Sequence, residues 1–157
     1  PWATTGRVGG RKPNIITSLE LRSEEMEVIN LRIQKKYKEI EEKEVRFEEY
    51  LLEDAEYAIV AFGSAARIAK KSIEIARSQG IKVGLLRPIT LWPFPTKEVQ
   101  KLAGKVKGIL SLEINAGQMV EDIRLAVEGK VPVQHFGRLG GIIPDPDEVV
   151  DAIKRLF

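Results

Sequence analysis

The residues that could do chemistry lie in a few short segments of the chain. Phe62-Gly63-Ser64 would place backbone N–H groups and a hydroxyl at a helix start. That arrangement either holds an anion or leaves Ser64 as a plain helix cap. The second and third glycines of a dinucleotide fingerprint are missing. Glu113, Asn115 and Gln118 gather around Gly117, offering a carboxylate and two amides within a few residues. Such convergence either binds a ligand or caps the next helix and locks an interface, and the structural reading is preferred. His135, the one histidine, has no neighbouring nucleophile and no metal-ligand spacing, so it reads as a strand-end residue with a local hydrogen bond. Gly137, Arg138, Gly140 and Gly141 make a positively charged, flexible loop, either an anion contact or a tight turn.

The segment from Arg87 to Pro95 differs in kind. Pro88, Pro93 and Pro95 with Trp92 and Phe94 make a stiff apolar loop whose ordering cost is low. It suits docking against another surface, or packing on its own domain. Nowhere do the residues assemble a self-sufficient catalytic set, so no catalytic and no metal residue is assigned. The candidates are a weak anion site at Gly63 and Ser64, and interface positions at Arg87, Trp92, Phe94, Glu113, Asn115 and Gln118. The domain is expected to assist chemistry performed elsewhere.

Composition narrows the classes further. The chain has no cysteine, so it supplies no disulfide, no thiolate nucleophile and no thiolate ligand for iron–sulfur clusters or zinc. The net charge of +2 divides into −3 over residues 1–56 and +5 over 57–157, too modest and too scattered for a phosphate-backbone stripe; nucleic-acid binding is not expected. No apolar run is long enough to span a bilayer, and Pro1 to Gly6 lack the pattern of a signal peptide, so a cytoplasmic protein is expected. Abundant Lys, Arg and Glu lean towards a hot environment. A start at Pro1 reads as a fragment, a processed product or part of a longer polypeptide.

The elements that must position these residues follow from periodicity. Residues 1–20 read as an irregular linker. From Ser23, with Glu24 and Glu25 in the first turn, Met26, Ile29, Ile33, Tyr37, Ile40, Phe47 and Leu51 fall on one helical stripe. Unbroken, residues 24–51 would span roughly 40 Å; Glu44 interrupts the stripe, so a break into two helices near 41–45 is equally open. After Asp54, strands expected at 57–62, 82–86, 108–113 and 131–136 alternate with helices at 65–79, 96–103, 118–128 and 146–156. That alternation implies a mainly parallel sheet with helices on both faces, in which ligands and partners meet the carboxyl ends of the strands. Residues 1–54 are thus a linker and charged helical arm, and 55–157 an α/β domain.

Three of these segments are also familiar in series. Phe62-Gly63-Ser64 with Ala66-Arg67, then Gly80 through Pro95, then Glu113-Ile114-Asn115-Ala116-Gly117-Gln118-Met119, resemble the alpha chain of the 2-oxoacid:ferredoxin oxidoreductases, of the 2-ketoisovalerate and 2-oxoglutarate type. The resemblance runs over the whole chain, including Lys36-Tyr37 and Glu53 to Glu56. It implies a three-layer α/β/α domain like the C-terminal domain of transketolase, with a mostly parallel sheet of five strands or fewer. It also implies thiamine-diphosphate-dependent oxidative decarboxylation to acyl-coenzyme A, with electrons passing through iron–sulfur clusters to ferredoxin. By the same resemblance the pyrimidine-binding domain would precede Pro1, and the diphosphate and magnesium domain lies on the beta chain. No cofactor is then expected on this chain alone; its role would be subunit assembly and shaping the approach of substrate or coenzyme A. The partners would be the other domains and subunits, with ferredoxin and coenzyme A met through the complex. Two alternatives stay open: the equivalent domain of a transketolase-like enzyme or lipoyl-dependent dehydrogenase, and a stand-alone anion-binding regulatory module.

Overall fold

A computed structural model describes residues 6–156; the expected linker residues 1–5 and Phe157 lie outside them. The chain divides into two compact units, Pro1–Lys38 and Glu39–Phe157. In the first, a short 3-10 turn at Val8–Gly10 is followed by irregular chain. Helix α1, Ser23–Lys43, starts with Arg22 paired to Glu20 and Glu25, and none of its residues is buried.

Of the two courses open to the helical stripe, an unbroken run to Leu51 or a break into two helices near 41–45, the break is found, but a strand and not a second helix follows it. The chain leaves α1 at Lys43 and forms strand β1, Phe47–Tyr50. Phe47 and Tyr50 are three apart, a helical spacing that puts them on opposite faces of a strand, but aromatic residues fit a pleated surface and an open sheet edge is there to pair with. β1 runs antiparallel to β3, Val83–Pro88, with Phe47 opposite Pro88 and Tyr50 opposite Leu85. Pro88, expected to stop that strand two residues earlier, is its last residue, where a missing N–H is tolerated.

The other elements are β2 (Tyr57–Ala61), α2 (Gly63–Ser78), α3 (Thr96–Ala103), β4 (Gly108–Glu113), α4 (Met119–Val127), β5 (Val133–Gly137) and α5 (Pro146–Lys154). The sheet order is β1-β3-β2-β4-β5, with every pair beyond β1 parallel. The chain moves one way from β2 to β3 and then crosses back over β2 to reach β4. Right-handed crossovers therefore place α2 on one face and α3 and α4 on the other. Each face has its own core. Ala65, Ala66, Ala69, Ile73 and Ala76 of α2 pack with α5 and the side chains of Ile59, Leu85 and Leu112. Val99 and Leu102 of α3 and Ile123 of α4 pack with Val60, Leu86 and Ile109. The result is the three-layer α/β/α domain with a mostly parallel sheet. Among the described residues no helix is long and apolar enough to cross a membrane.

Candidate functional site: the carboxyl ends of the strands

The reversal of strand order puts a crevice between the carboxyl ends of β2 and β4, because the helices that follow them leave to opposite faces. Gly63 opens α2 there with a φ of +55°. The cap position is Phe62, which makes no side-chain cap bond, so Ser64 is not the helix cap that one reading expected. The hydroxyl sits one residue inside the helix, beyond the position from which a cap accepts. A shallow depression of about 180 Å³ lies between Phe62–Ala65 and Glu113–Asn115.

Glu113, the last residue of β4, is fully buried, and its carboxylate is the organising group of the crevice. Oε2 accepts from the backbone N–H groups of Gln118 (3.0 Å) and Met119 (2.9 Å). Oε1 accepts from Val120 N–H (3.0 Å) and Ser111 Oγ (2.8 Å). Burial alone would raise its pKa; the three amides and the hydroxyl outweigh that and hold it below the usual carboxylate range. Glu113 thereby caps α4 from the neighbouring strand, satisfying donors that every helix start leaves open.

The two amides do other things. Asn115 Oδ1 accepts from Gly117 N–H at 2.7 Å and closes the turn, while Gln118 occupies the cap position of α4 without a side-chain cap bond and is exposed. His135, on β5, packs against this loop. A Cβ at Gly137 would collide with the Asn115 carbonyl and come within 2.8 Å of His135 Cε1, so loop, histidine and strand end fit only with glycine there. His135 Nε2 is buried without a hydrogen-bond partner and lies 3.9 Å from Glu113 Oε1, so the local hydrogen bond expected of this histidine is not made through Nε2. Asp122 has its pKa raised by burial and by the charges of Glu113 and Glu121.

Arg87, on β3, does not join this group. Its Nη1 donates to Glu48 on β1 (2.8 Å), and Lys70 of α2 meets the same carboxylate. Sequence reasoning missed Glu48 because β1 was not recognised. Arg138 pairs with Glu148 at 2.8 Å, tying the glycine-rich loop to α5. Trp92 and Phe94 lie together along a separate open groove of about 550 Å³, with Phe47. Trp92 keeps 54% of its surface exposed and Leu91 47%, whereas Pro93 and Pro95 are buried. The loop therefore anchors through its prolines and through the half-buried Phe94, which packs against the core, and presents Leu91 and Trp92 outward. Thr90 holds it in place, its Oγ1 accepting from Arg46 N–H (3.0 Å) and donating to the Pro93 carbonyl (2.9 Å).

Among the described residues no cluster of three or more His, Asp or Glu could hold a metal ion, and without cysteine the chain offers no thiolate for a cluster.

A family model described as pyruvate:ferredoxin oxidoreductase core domain II matches residues 55–149. The ketoisovalerate oxidoreductase subunit VorB of Methanothermobacter thermautotrophicus is 44% identical over 155 residues, which are 99% of this chain and 44% of that protein. The solved 2-oxoglutarate:ferredoxin oxidoreductase from Magnetococcus marinus, with 2-oxoglutarate, coenzyme A and succinyl-CoA bound, superposes with a TM-score of 0.79 at 22% identity, over 99% of this chain and 28% of its own. A split-gene transketolase, solved as an inactive beta4 tetramer, superposes with a TM-score of 0.61 at 17% identity, over 71% and 41%. At such identities the two structures share the fold. The chain spans less than half the length of the curated relative it matches.

Proposed function

The chain belongs to the pyruvate:ferredoxin oxidoreductase core domain II family, and on that premise we propose that it is the transketolase-C-like support domain of the alpha subunit of a 2-oxoacid:ferredoxin oxidoreductase. The complete enzyme decarboxylates a 2-oxoacid, transfers the acyl group to coenzyme A and passes two electrons singly to ferredoxin. Thiamine diphosphate, magnesium and iron–sulfur clusters supply that chemistry from other domains and subunits. The alignment of nearly the whole chain with a ketoisovalerate oxidoreductase subunit supports a branched-chain 2-oxoacid as substrate. The protein works in the cytoplasm.

The observation that carries this reading is the engagement of Glu113. The carboxylate buried at the switch point has both oxygens occupied by four hydrogen bonds within its own domain. A general base or a metal ligand needs a free lone pair directed at its target. Glu113 instead fixes the 114–118 loop, so the crevice offers a rigid, shaped wall, and the exposed Leu91 and Trp92 offer an apolar contact surface. In this reading Glu113 and Asn115 fix the loop that meets other domains, Arg87 ties β3 to β1 through Glu48, the exposed Gln118 is free to make the contact itself, and the start of α2 at Gly63 and Ser64 faces the same side.

The full-length subunit, expressed with its companion subunit and purified without oxygen, should reduce a viologen dye when given 2-oxoisovalerate and coenzyme A. A complex with intact clusters that oxidises no 2-oxoacid would overturn the assignment.

A further inference from the structure

The groove beside Trp92 carries an electrostatic signature of its own. Its floor and wall are apolar, from Val45, Phe47, Trp92 and Phe94, and its charged lining consists of Glu41, Glu42 and Glu98 against Lys97 alone. Glu41 and Glu42 lie in the last turn of α1, which ends at Lys43. That is where a helix already presents negative partial charge, so two carboxylates there are disfavoured by their own helix. Both are exposed, and neither makes an ion pair among the described residues. Glu98 contacts Lys101 only at 4.0 Å. Glu41 and Glu42 therefore gain no ion pair from the described chain and lie at the unfavourable end of their helix, while Glu98, in the first turn of α3, is held only by the long contact to Lys101.

We propose that this groove receives a basic segment of the companion subunit, with one Arg or Lys whose stem lies on Trp92 and Phe47 and whose charged head meets Glu41, Glu42 and Glu98. Aromatic faces and carboxylates together select a cationic side chain with an apolar stem, and a planar guanidinium satisfies both best. The wall is fixed before anything docks, because Thr90 ties the loop to Arg46 and to the Pro93 carbonyl, so little ordering cost opposes binding. The inference rests on the assignment of the chain to a multi-subunit oxidoreductase and of its Trp92 loop to an interface.

The test is the association of the full-length alpha subunit with its companion, measured by analytical ultracentrifugation at low and high salt. The double variant Glu41→Lys/Glu42→Lys is compared with Glu41→Gln/Glu42→Gln and with Trp92→Ala. The lysine variant should weaken association about tenfold at low salt, the glutamine variant less, and the difference from wild type should shrink at high salt. Its melting temperature should not fall, because lysine suits a helix C-terminus, so weakened association without lost stability marks the interface. If Trp92→Ala weakens the complex while the lysine variant leaves it unchanged or tighter, the interface stands and a basic partner is refuted. If neither changes association, the interface assignment fails and this inference with it. If the chain without its companion self-associates with the same charge dependence, the occupant is a second copy and the companion is excluded.

Discussion

At the scale of single residues, Glu113 does most of the shaping. Replacing it with Gln puts an amide NH2 where the Gln118 and Met119 N–H groups now donate or removes an acceptor from Val120 and Ser111, and either way leaves buried donors unsatisfied. Glu113→Gln should cost about 3 kcal/mol of folding free energy, read from urea melts at neutral pH. The group also sets a pH dependence. Its folded pKa is depressed, so its stabilisation is fully present above the ordinary carboxylate range and is lost as pH falls through the lowered folded value. The wild type should lose stability steeply on that acid side, and Glu113→Gln should flatten the slope; parallel slopes would show that Glu113 is not ionised in the fold. Sequence placed Glu113, Asn115, Gly117 and Gln118 together, but not their division of labour. Capping rules look at the residue just before a helix, here Gln118 and, for α2, Phe62. The acceptor for α4 comes from the end of the preceding strand, a position only the fold brings near.

At the scale of elements, the sheet and its helices were readable because burial on both faces leaves nearly continuous apolar runs, as in Tyr57 to Ala61 and in Gly108 to Leu112, broken only by the buried Ser111. The bounds of α3 and β4 follow from Pro95 and Gly108. β1 was not readable: a four-residue edge strand carrying two glutamates has a weak pattern, and Phe47 and Leu51 continue the helical stripe of α1 beyond the interruption at Glu44. Its place depends on β3. A Cβ at Gly84 would strike the Leu51 carbonyl and approach Leu52 Cδ2 to 2.7 Å, so the link from β1 to β2 lies directly over β3 at that glycine. Arg77 clamps the same link, its Nη2 donating to the Leu51 carbonyl (2.7 Å) and its Nε to the Val83 carbonyl (2.8 Å). Gly84→Ala must push that backbone away and should cost about 2 kcal/mol, with faster hydrogen exchange in β1 than in β4. Uniform exchange along the sheet would show that β1 is not held there. Trp92→Ala, by contrast, removes a side chain that is half exposed, so its effect on the isolated chain's melting temperature should be small beside its effect on association.

At the scale of the whole molecule, two cores on a single sheet make a self-supporting scaffold, while charged groups at its carboxyl edge are engaged internally. Glu48 takes Lys70 and Arg87, Glu148 takes Arg138, and Glu113 takes the start of α4. What sequence could not give was this pairing, because the Glu48 bridges join residues 22 and 39 apart and the nearer ones depend on how a strand end and a loop turn back on the following helix. A scaffold of this kind should be stable alone and inert alone. The direct test is the rate of viologen reduction by the isolated chain supplied with 2-oxoisovalerate, coenzyme A, thiamine diphosphate and magnesium, beside the assembled enzyme under the same conditions. The expected rate for the chain is the buffer background, with turnover from the assembled enzyme only; substrate-dependent reduction by the chain on its own would contradict a supporting role.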